Sequence, residues 1–164
     1  MMRLDRLARM NVSLRTFRPE DQEFLFKLYA ATRQQEVSAW GWSSAQQEAF
    51  LRMQFNAQQQ SYGMTYAGAE HQIVTFEDNP IGRIMVLRGR EAALLVDISL
   101  ISEYRGRGIG GGLLQNLIER CNQDKVAVRL QVLKTNPAQR LYERLGFRKI
   151  GEDDLYFQME RPVG

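Results

Sequence analysis

Between Arg105 and Gly112 the chain carries five glycines within seven positions, preceded by Arg105 and interrupted by Arg107. A strand-to-helix turn needs one residue at positive φ, so one glycine would be enough. Five describe a backbone that something approaches closely. The segment lacks side chains, offers amide N–H groups, and opens a helix near Ile109 whose positive dipole end adds to the attraction for anions. With two guanidinium groups beside it, the stretch suits phosphate, and a diphosphate better than a single anion.

Three phosphate-loop patterns compete for it. A Walker A loop requires Lys-Ser or Lys-Thr after its last glycine, and here Gly112 is followed by Leu113-Leu114. The dinucleotide pattern G-x-G-x-x-G is met by Gly106, Gly108 and Gly111. The strand expected at Val126–Val132, however, ends without the acidic residue that would hold a ribose. About fifty residues remain after the loop, too few for the rest of a doubly wound sheet. The third pattern, Arg/Gln-x-x-Gly-x-Gly/Ala, is met by Arg105, Gly108 and Gly110. A second segment, Asn136-Pro137-Ala138-Gln139-Arg140-Leu141-Tyr142-Glu143-Arg144-Leu145-Gly146-Phe147, lies about thirty residues further on, after one more strand.

Together these two segments resemble the GNAT superfamily of acyl-CoA-dependent N-acetyltransferases, over roughly Val12 to Met159. The resemblance implies a mixed α/β fold: a mostly antiparallel central sheet of about seven strands, splayed between the fourth and fifth and flanked by about four helices. It implies acetyl-CoA as co-substrate and transfer of its acetyl group to a primary amine of a small molecule or peptide, by direct attack in a ternary complex. The cofactor's diphosphate would lie on Arg105, Gly106, Arg107, Gly108, Ile109, Gly110 and Gly111. Its pantetheine arm would pair with backbone at Ile98 and Leu100, pass the small Ala138, and meet Asn136. Tyr142 is implied as the acid that protonates the departing thiolate, and a backbone N–H near Leu100 as the oxyanion donor. Capping of the following helix accounts equally well for Asn136. A non-catalytic acyl-CoA sensor of the same fold is the alternative; it would keep the glycine loop and lose the leaving-group acid.

Amide formation needs a neutral amine, and an amine of pKa ~10.4 falls short by roughly 4–5 kcal/mol at pH 7. A general base is therefore useful. Asp97 is the first candidate, because it interrupts the apolar run Leu94-Leu95-Val96-Asp97-Ile98, where a carboxylate is costly to bury. A structural, salt-bridged Asp97 weighs about as much. Glu36 is the second candidate, although a solvated acid at a helix end explains it as well. Trp40 and Trp42 flank Gly41 between two expected helices; with Glu36 they form the candidate acceptor pocket, a position that family members commonly use. Core packing is the competing account of the tryptophans.

The elements that must position these groups follow from periodicity. Strands are expected at Val12–Phe17, Gln72–Phe76, Ile81–Leu87, Ala92–Ile101, Val126–Val132, Phe147–Ile150 and Leu155–Met159. Helices are expected from Pro19 toward Gln35, from Ser43 or Ser44 to about Gln60, from Ile109 to Cys121, and over Pro137–Leu145. Tyr62–His71 reads as loop. Residues 1–10 read as a flexible extension, with Met10 a serviceable alternative start, and residues 11–164 as one domain.

The bulk numbers narrow the classes. With 164 residues, 44% hydrophobic and 25% charged, the chain is an ordinary globule with one core. A net charge of +3 with dispersed Lys and Arg argues against nucleic acid. The lone Cys121 excludes an internal disulfide, and the lone His71 has no metal-ligand partner. No apolar run reaches the ~20 residues of a membrane span, and no signal-peptide pattern is present. The expectation is a cytoplasmic enzyme without metal or membrane partner, with a homodimer as the assembly to test.

Overall fold

The structure, a computed structural model, describes residues 6–164. Seven strands form one sheet: β1 (Val12–Thr16), β2 (Glu70–Phe76), β3 (Asn79–Arg88), β4 (Ala92–Leu100), β5 (Ala127–Leu133), β6 (Arg148–Glu152) and β7 (Tyr156–Arg161), in the order β1-β2-β3-β4-β5-β7-β6. All neighbours are antiparallel except β4 and β5, which run parallel. Five helices flank the sheet: α1 (Arg6–Arg9), α2 (Gln22–Ser38), α3 (Ser44–Thr65), α4 (Ile109–Gln123) and α5 (Gln139–Arg144). Among the described residues, no helix is long and apolar enough to cross a membrane.

Alternation along the strands divides the apolar residues between two cores. Val74, Ile84, Val86, Ala93 and Leu95 pack with Leu113, Leu114, Leu117 and Ile118 of α4 on one face. Ile73 packs with Leu25, Phe26 and Leu28 of α2 and Leu51 and Phe55 of α3 on the other. Cys121 is fully buried in the α4 core, and burial pushes its thiol pKa up. It is a packed residue.

Two sequence expectations need correction. First, α3 does not stop near Gln60; it runs to Thr65 and absorbs part of the expected loop. Ser43 starts it with a reciprocal capping box: its hydroxyl accepts from the Gln46 N–H, and the Gln46 side chain accepts from the Ser43 N–H. Gln58, Gln59 and Tyr62 tie the preceding turn to the sheet. The helix continues through Gly63, with the Tyr66 N–H still donating to Tyr62 O at 2.9 Å, despite a glycine's ~1 kcal/mol helix penalty. Second, the N-terminal residues are not all a loose extension. Met1–Asp5 lie outside the described residues, but Arg6–Arg9 form α1, with Leu7 only 4% exposed in the α4 core. Leu7 can dock there because Gly112 has no side chain; a Cβ on Gly112 would lie 3.2 Å from Leu7 Cδ2.

The first helical turn is held to β1 by charge. Asp21, at the end of the 3₁₀ turn Pro19–Asp21, accepts from both Nη atoms of Arg15 (2.8 and 2.7 Å) and from the Arg18 N–H (2.8 Å). The Arg15 guanidinium holds the Asp21 carboxyl below the usual carboxylate range. Its stabilisation is therefore present above about pH 4 and lost as pH falls through the lowered value. Asp21→Ala should cost about 3 kcal/mol at pH 7, and Asp21→Asn should flatten the fall in melting temperature below about pH 4. Thermal unfolding from pH 7 to pH 2 checks both.

Candidate active site

A gap between β4 and β5 organises the site. The two strands pair only at Ala92–Leu95 and Ala127–Leu130; beyond Leu95, β4 continues to Leu100 with its β5-side edge unpaired. Five residues at ~3.3 Å each leave about 17 Å of open edge. Ile101 donates its N–H to Ile81 O on the β3 side. Alternation of the antiparallel ladder then turns the backbone groups of Ile98 and Leu100 away from β3 and toward the gap. The Leu100 carbonyl also accepts from Arg105 Nε at 2.9 Å.

A bulge decides which side chains face which way. Asp97 stands opposite Met85, but Leu95 stands opposite Val86, so Val96 is an extra residue. Without it, Asp97 would follow Ala93 and Leu95 into the apolar α4 core. With it, Asp97 and Ser99 face α3 beside Arg83. Arg83 is only 4% exposed. Its Nε and Nη2 donate to Asp97 Oδ2 at 3.1 and 2.7 Å, and its Nη1 and Nη2 donate to Gln59 and Gln58 of α3. The Ser99 hydroxyl donates to Asp97 Oδ1 at 2.9 Å, and Tyr62 OH stands 3.5 Å from Oδ2. Burial, then the Asp97 charge, raises the Tyr62 pKa, so its phenol keeps its proton.

Across the gap, Tyr142 of α5 is 8% exposed and packs edge-on against Phe147. Burial raises its pKa, and the Asp97 carboxylate is close enough to raise it further. Asn136 caps the turn into α5, its Oδ1 accepting from the Ala138 N–H at 2.9 Å; Ala138 is half-buried beside the α4 core.

The glycines separate by cause. Gly106 and Gly108 have φ of +72° and +83°, which the backbone demands. Gly112 makes room for Leu7. A Cβ on Gly111 would make only ordinary contact with Leu141, 3.9 Å away, and one on Gly110 would meet nothing within 4 Å. Gly110 therefore sits in the first turn of α4 at a cost in helix propensity and with no intramolecular reason. This is a cradle that a ligand's diphosphate would fit, with Ile109 buried behind it. Arg105 and Arg107 are both exposed at its rim. The Arg107 guanidinium lies over the Tyr104 ring.

A family model described as an acetyltransferase (GNAT) domain matches residues 29–158. The chain belongs to the GNAT acetyltransferase family. Its fold is similar to PaiA N-acetyltransferase from Thermoplasma acidophilum, solved in complex with coenzyme A. There the identity is 21% over 93% of this chain and 99% of that one, with a TM-score of 0.68. An acetyltransferase from Thermus thermophilus follows at 19% identity, covering 93% and 97%, with a TM-score of 0.67. The ribosomal-protein-S18-alanine N-acetyltransferase from Escherichia coli is 19% identical over 93% and 94%, with a TM-score of 0.62. At these identities the likeness speaks for the fold. No curated protein sequence matches the chain.

Within this GNAT fold the structure brings Asp97, the open edge at Ile98 and Leu100, the glycine loop and Tyr142 together. It does not bring Glu36, Trp40 and Trp42 to Asp97. Glu36 is exposed and paired with Arg33 at 2.9 Å. The tryptophans, each 41% exposed, pack edge-on against each other and Phe50 near the start of α3. Phe50 and Tyr62 are twelve residues apart on one helix, about 18 Å at 1.5 Å per residue. The sequence reading missed Arg83, Tyr62, Gln58 and Gln59. A signal for Arg83 was present: one cation in the apolar run Ile81–Leu87 and one anion, Asp97, in the apolar run of the next strand.

Removing Arg83 alone strands a partly buried carboxylate. Arg83→Met should cost about 3–5 kcal/mol, and Arg83→Met with Asp97→Leu should recover most of that loss. Urea unfolding of the two variants measures it.

Proposed function

We propose that this GNAT-family chain is an acetyl-CoA-dependent N-acetyltransferase. In this reading it moves an acetyl group to a primary amine by direct attack in a ternary complex. One observation carries the proposal: an unpaired edge of β4, about 17 Å long, ends on a glycine loop whose Gly110 has no intramolecular reason to lack a side chain. A pantetheine arm extending β4 through the backbone of Ile98 and Leu100 satisfies that edge. The diphosphate then falls on the amides and dipole of the first turn of α4. Arg105, Gly106, Arg107, Gly108, Ile109, Gly110 and Gly111 form that subsite, with Asn136 and Ala138 beside the arm.

In the proposed reaction the amine nitrogen bonds to the thioester carbon and the C–S bond breaks. The thiolate takes the Tyr142 proton. The amine's proton passes to Asp97 or to water held by it. Asp97 already accepts from Arg83 and Ser99, so it acts as a fixed acceptor that aligns the amine. The raised pKa of Tyr142 keeps the phenol protonated. It also makes transfer to a thiolate of ordinary pKa ~8.5 uphill by more than ~2 kcal/mol. The acid therefore assists departure rather than controlling it.

Two outcomes test this reading. Gly110→Ala should leave the fold intact and raise its stability by up to ~1 kcal/mol, whereas Gly110→Val should fold normally yet weaken coenzyme A binding at least tenfold. Calorimetric titration with coenzyme A decides, and unchanged affinity in the valine variant would remove the diphosphate from this loop. Tyr142→Phe should slow acetyl transfer about ten- to a hundredfold with coenzyme A affinity retained, as read by free-thiol release. An undiminished rate would take Tyr142 out of the chemistry.

A further inference from the structure

Asp97 has a second neighbourhood, on the side away from β5. A cleft of ≈ 250 Å³ opens between the end of α3 and strands β2 and β3. Its walls are Tyr62 and Tyr66, whose rings lie 6.0 Å apart, and Gln59; its floor is His71 and Met85. The remaining lining is glycine and alanine, Gly63 among them. His71, Met85 and Asp97 are register partners on three adjacent strands. At ~4.8 Å per strand, the floor starts about 5 Å from Asp97 and extends about 10 Å from it. Tyr62 joins the two places, because its ring lines the cleft and its hydroxyl reaches toward Asp97.

We propose that this cleft holds the carbon body of the acceptor, with the amine at Asp97, and that the acceptor class is a primary amine on a compact, uncharged, flat or apolar body. The inference rests on the acetyltransferase reading and names its substrate class. Size favours one ring: the volume lies just below the ~300–1,000 Å³ of pockets for drug-sized ligands. Tyrosine walls favour an aromatic or apolar partner, because ring–ring contacts add to the gain from burial.

Charge separates the acceptor classes. Among the described residues that line the cleft, none is Asp, Glu, Lys or Arg. Burial holds the His71 imidazole to a pKa of about 4, so it is neutral at pH 7. The nearest opposite charges, Arg83 and Asp97, already neutralise each other at 2.7 Å. A polyamine's second cation or an amino acid's carboxylate would find no counter-ion along this floor, and a desolvated unpaired charge is costly.

Gly63 supplies the blocking variant. A Cβ there meets nothing within 4 Å, and the position is helical, so Gly63→Phe fills the cleft without straining the fold. Wild type and Gly63→Phe are assayed by free-thiol release with 2-phenylethylamine, spermidine and lysine. Coenzyme A affinity and melting temperature are measured on the same samples. The expected result is a kcat/KM for 2-phenylethylamine at least tenfold above those for spermidine and lysine, erased in Gly63→Phe while coenzyme A affinity stays within twofold. Preference for spermidine or lysine, a 2-phenylethylamine rate unchanged in Gly63→Phe, or no transfer to any of the three overturns the cleft while leaving coenzyme A binding in place. A wild-type protein without coenzyme A affinity overturns the acetyltransferase reading itself.

Discussion

A guanidinium that is 4% exposed must be neutralised and hydrogen-bonded, or the fold around it fails. Arg83 meets that requirement with one carboxylate and two amide side chains, drawn from β4 and α3. Each partner is itself constrained by the bond. Asp97 can reach Arg83 only because the extra residue Val96 rotates the strand end, and the same rotation sends Ile98 and Leu100 into the α4 core. The helix reaches Arg83 through Gln58 and Gln59, one turn before Gly63. One buried ion pair therefore couples the register of β3 on β4, the seating of α3 on the sheet and the orientation of the open edge. A buried pair of this kind contributes little net stability against an apolar substitute. Its effect is to select one arrangement among several that the apolar residues alone would permit.

The open edge is the other half of the construction. Strand β5 leaves β4 after Leu130 but stays paired with β7 as far as Leu133, so the gap opens without loosening the sheet on either side. An unpaired internal edge in a packed protein is a set of unsatisfied backbone groups. Arg105 takes one of them, the Leu100 carbonyl. The rest of the edge is available to a ligand that can hydrogen-bond like a strand. The first turn of α4 at its end is suited to an anion for the same reason, since the first amides of a helix have no partner inside it. Both features are main-chain properties, and both belong to the GNAT fold more than to any individual side chain.

This division explains what was legible in the sequence. The succession of strands and helices along the chain and the amphipathic α4 were readable from apolar periodicity, and the mostly antiparallel sheet followed from the two spaced motifs through the family they resemble. The glycine loop was legible as a loop but not in its parts: Gly112 serves the docking of Leu7, a contact between segments more than a hundred residues apart. The expected loose extension failed for the same reason, since four residues with one apolar anchor carry no helical pattern of their own. The end of α3 was missed because the polar run Gln58–Ser61 and Gly63 interrupt the apolar pattern, and the bonds of Gln58, Gln59 and Tyr62 to Arg83 and Asp97 are made across the fold. Glu36 and the tryptophans were grouped because they are neighbours at the loop that joins the first two expected helices, a position the resembled family uses. Their distance from Asp97 was not legible, since α3 rises about 18 Å between Phe50 and Tyr62.

The state of the two candidate reacting groups bears on where the rate of the proposed reaction would come from. Tyr142 is a weaker acid than a free phenol, since burial and a carboxylate both oppose its ionisation. Asp97 is no free base either, because Arg83 and Ser99 occupy much of its acceptor capacity. The Tyr142 phenol is thus moved away from neutrality, unlike a dedicated general acid. What the site offers instead is fixed geometry: a carboxylate locked by bonds to two strands and a helix, a phenol locked by packing, and, in the proposed reading, an open strand edge on which a thioester would be held. Ordering two reactants in this way is worth roughly 7–11 kcal/mol in favourable cases. That exceeds the roughly 4–5 kcal/mol needed to reach a neutral amine. In the proposed reaction, positioning outweighs proton transfer, and the bulge at Val96, which aims Asp97 away from the apolar core, is part of that positioning.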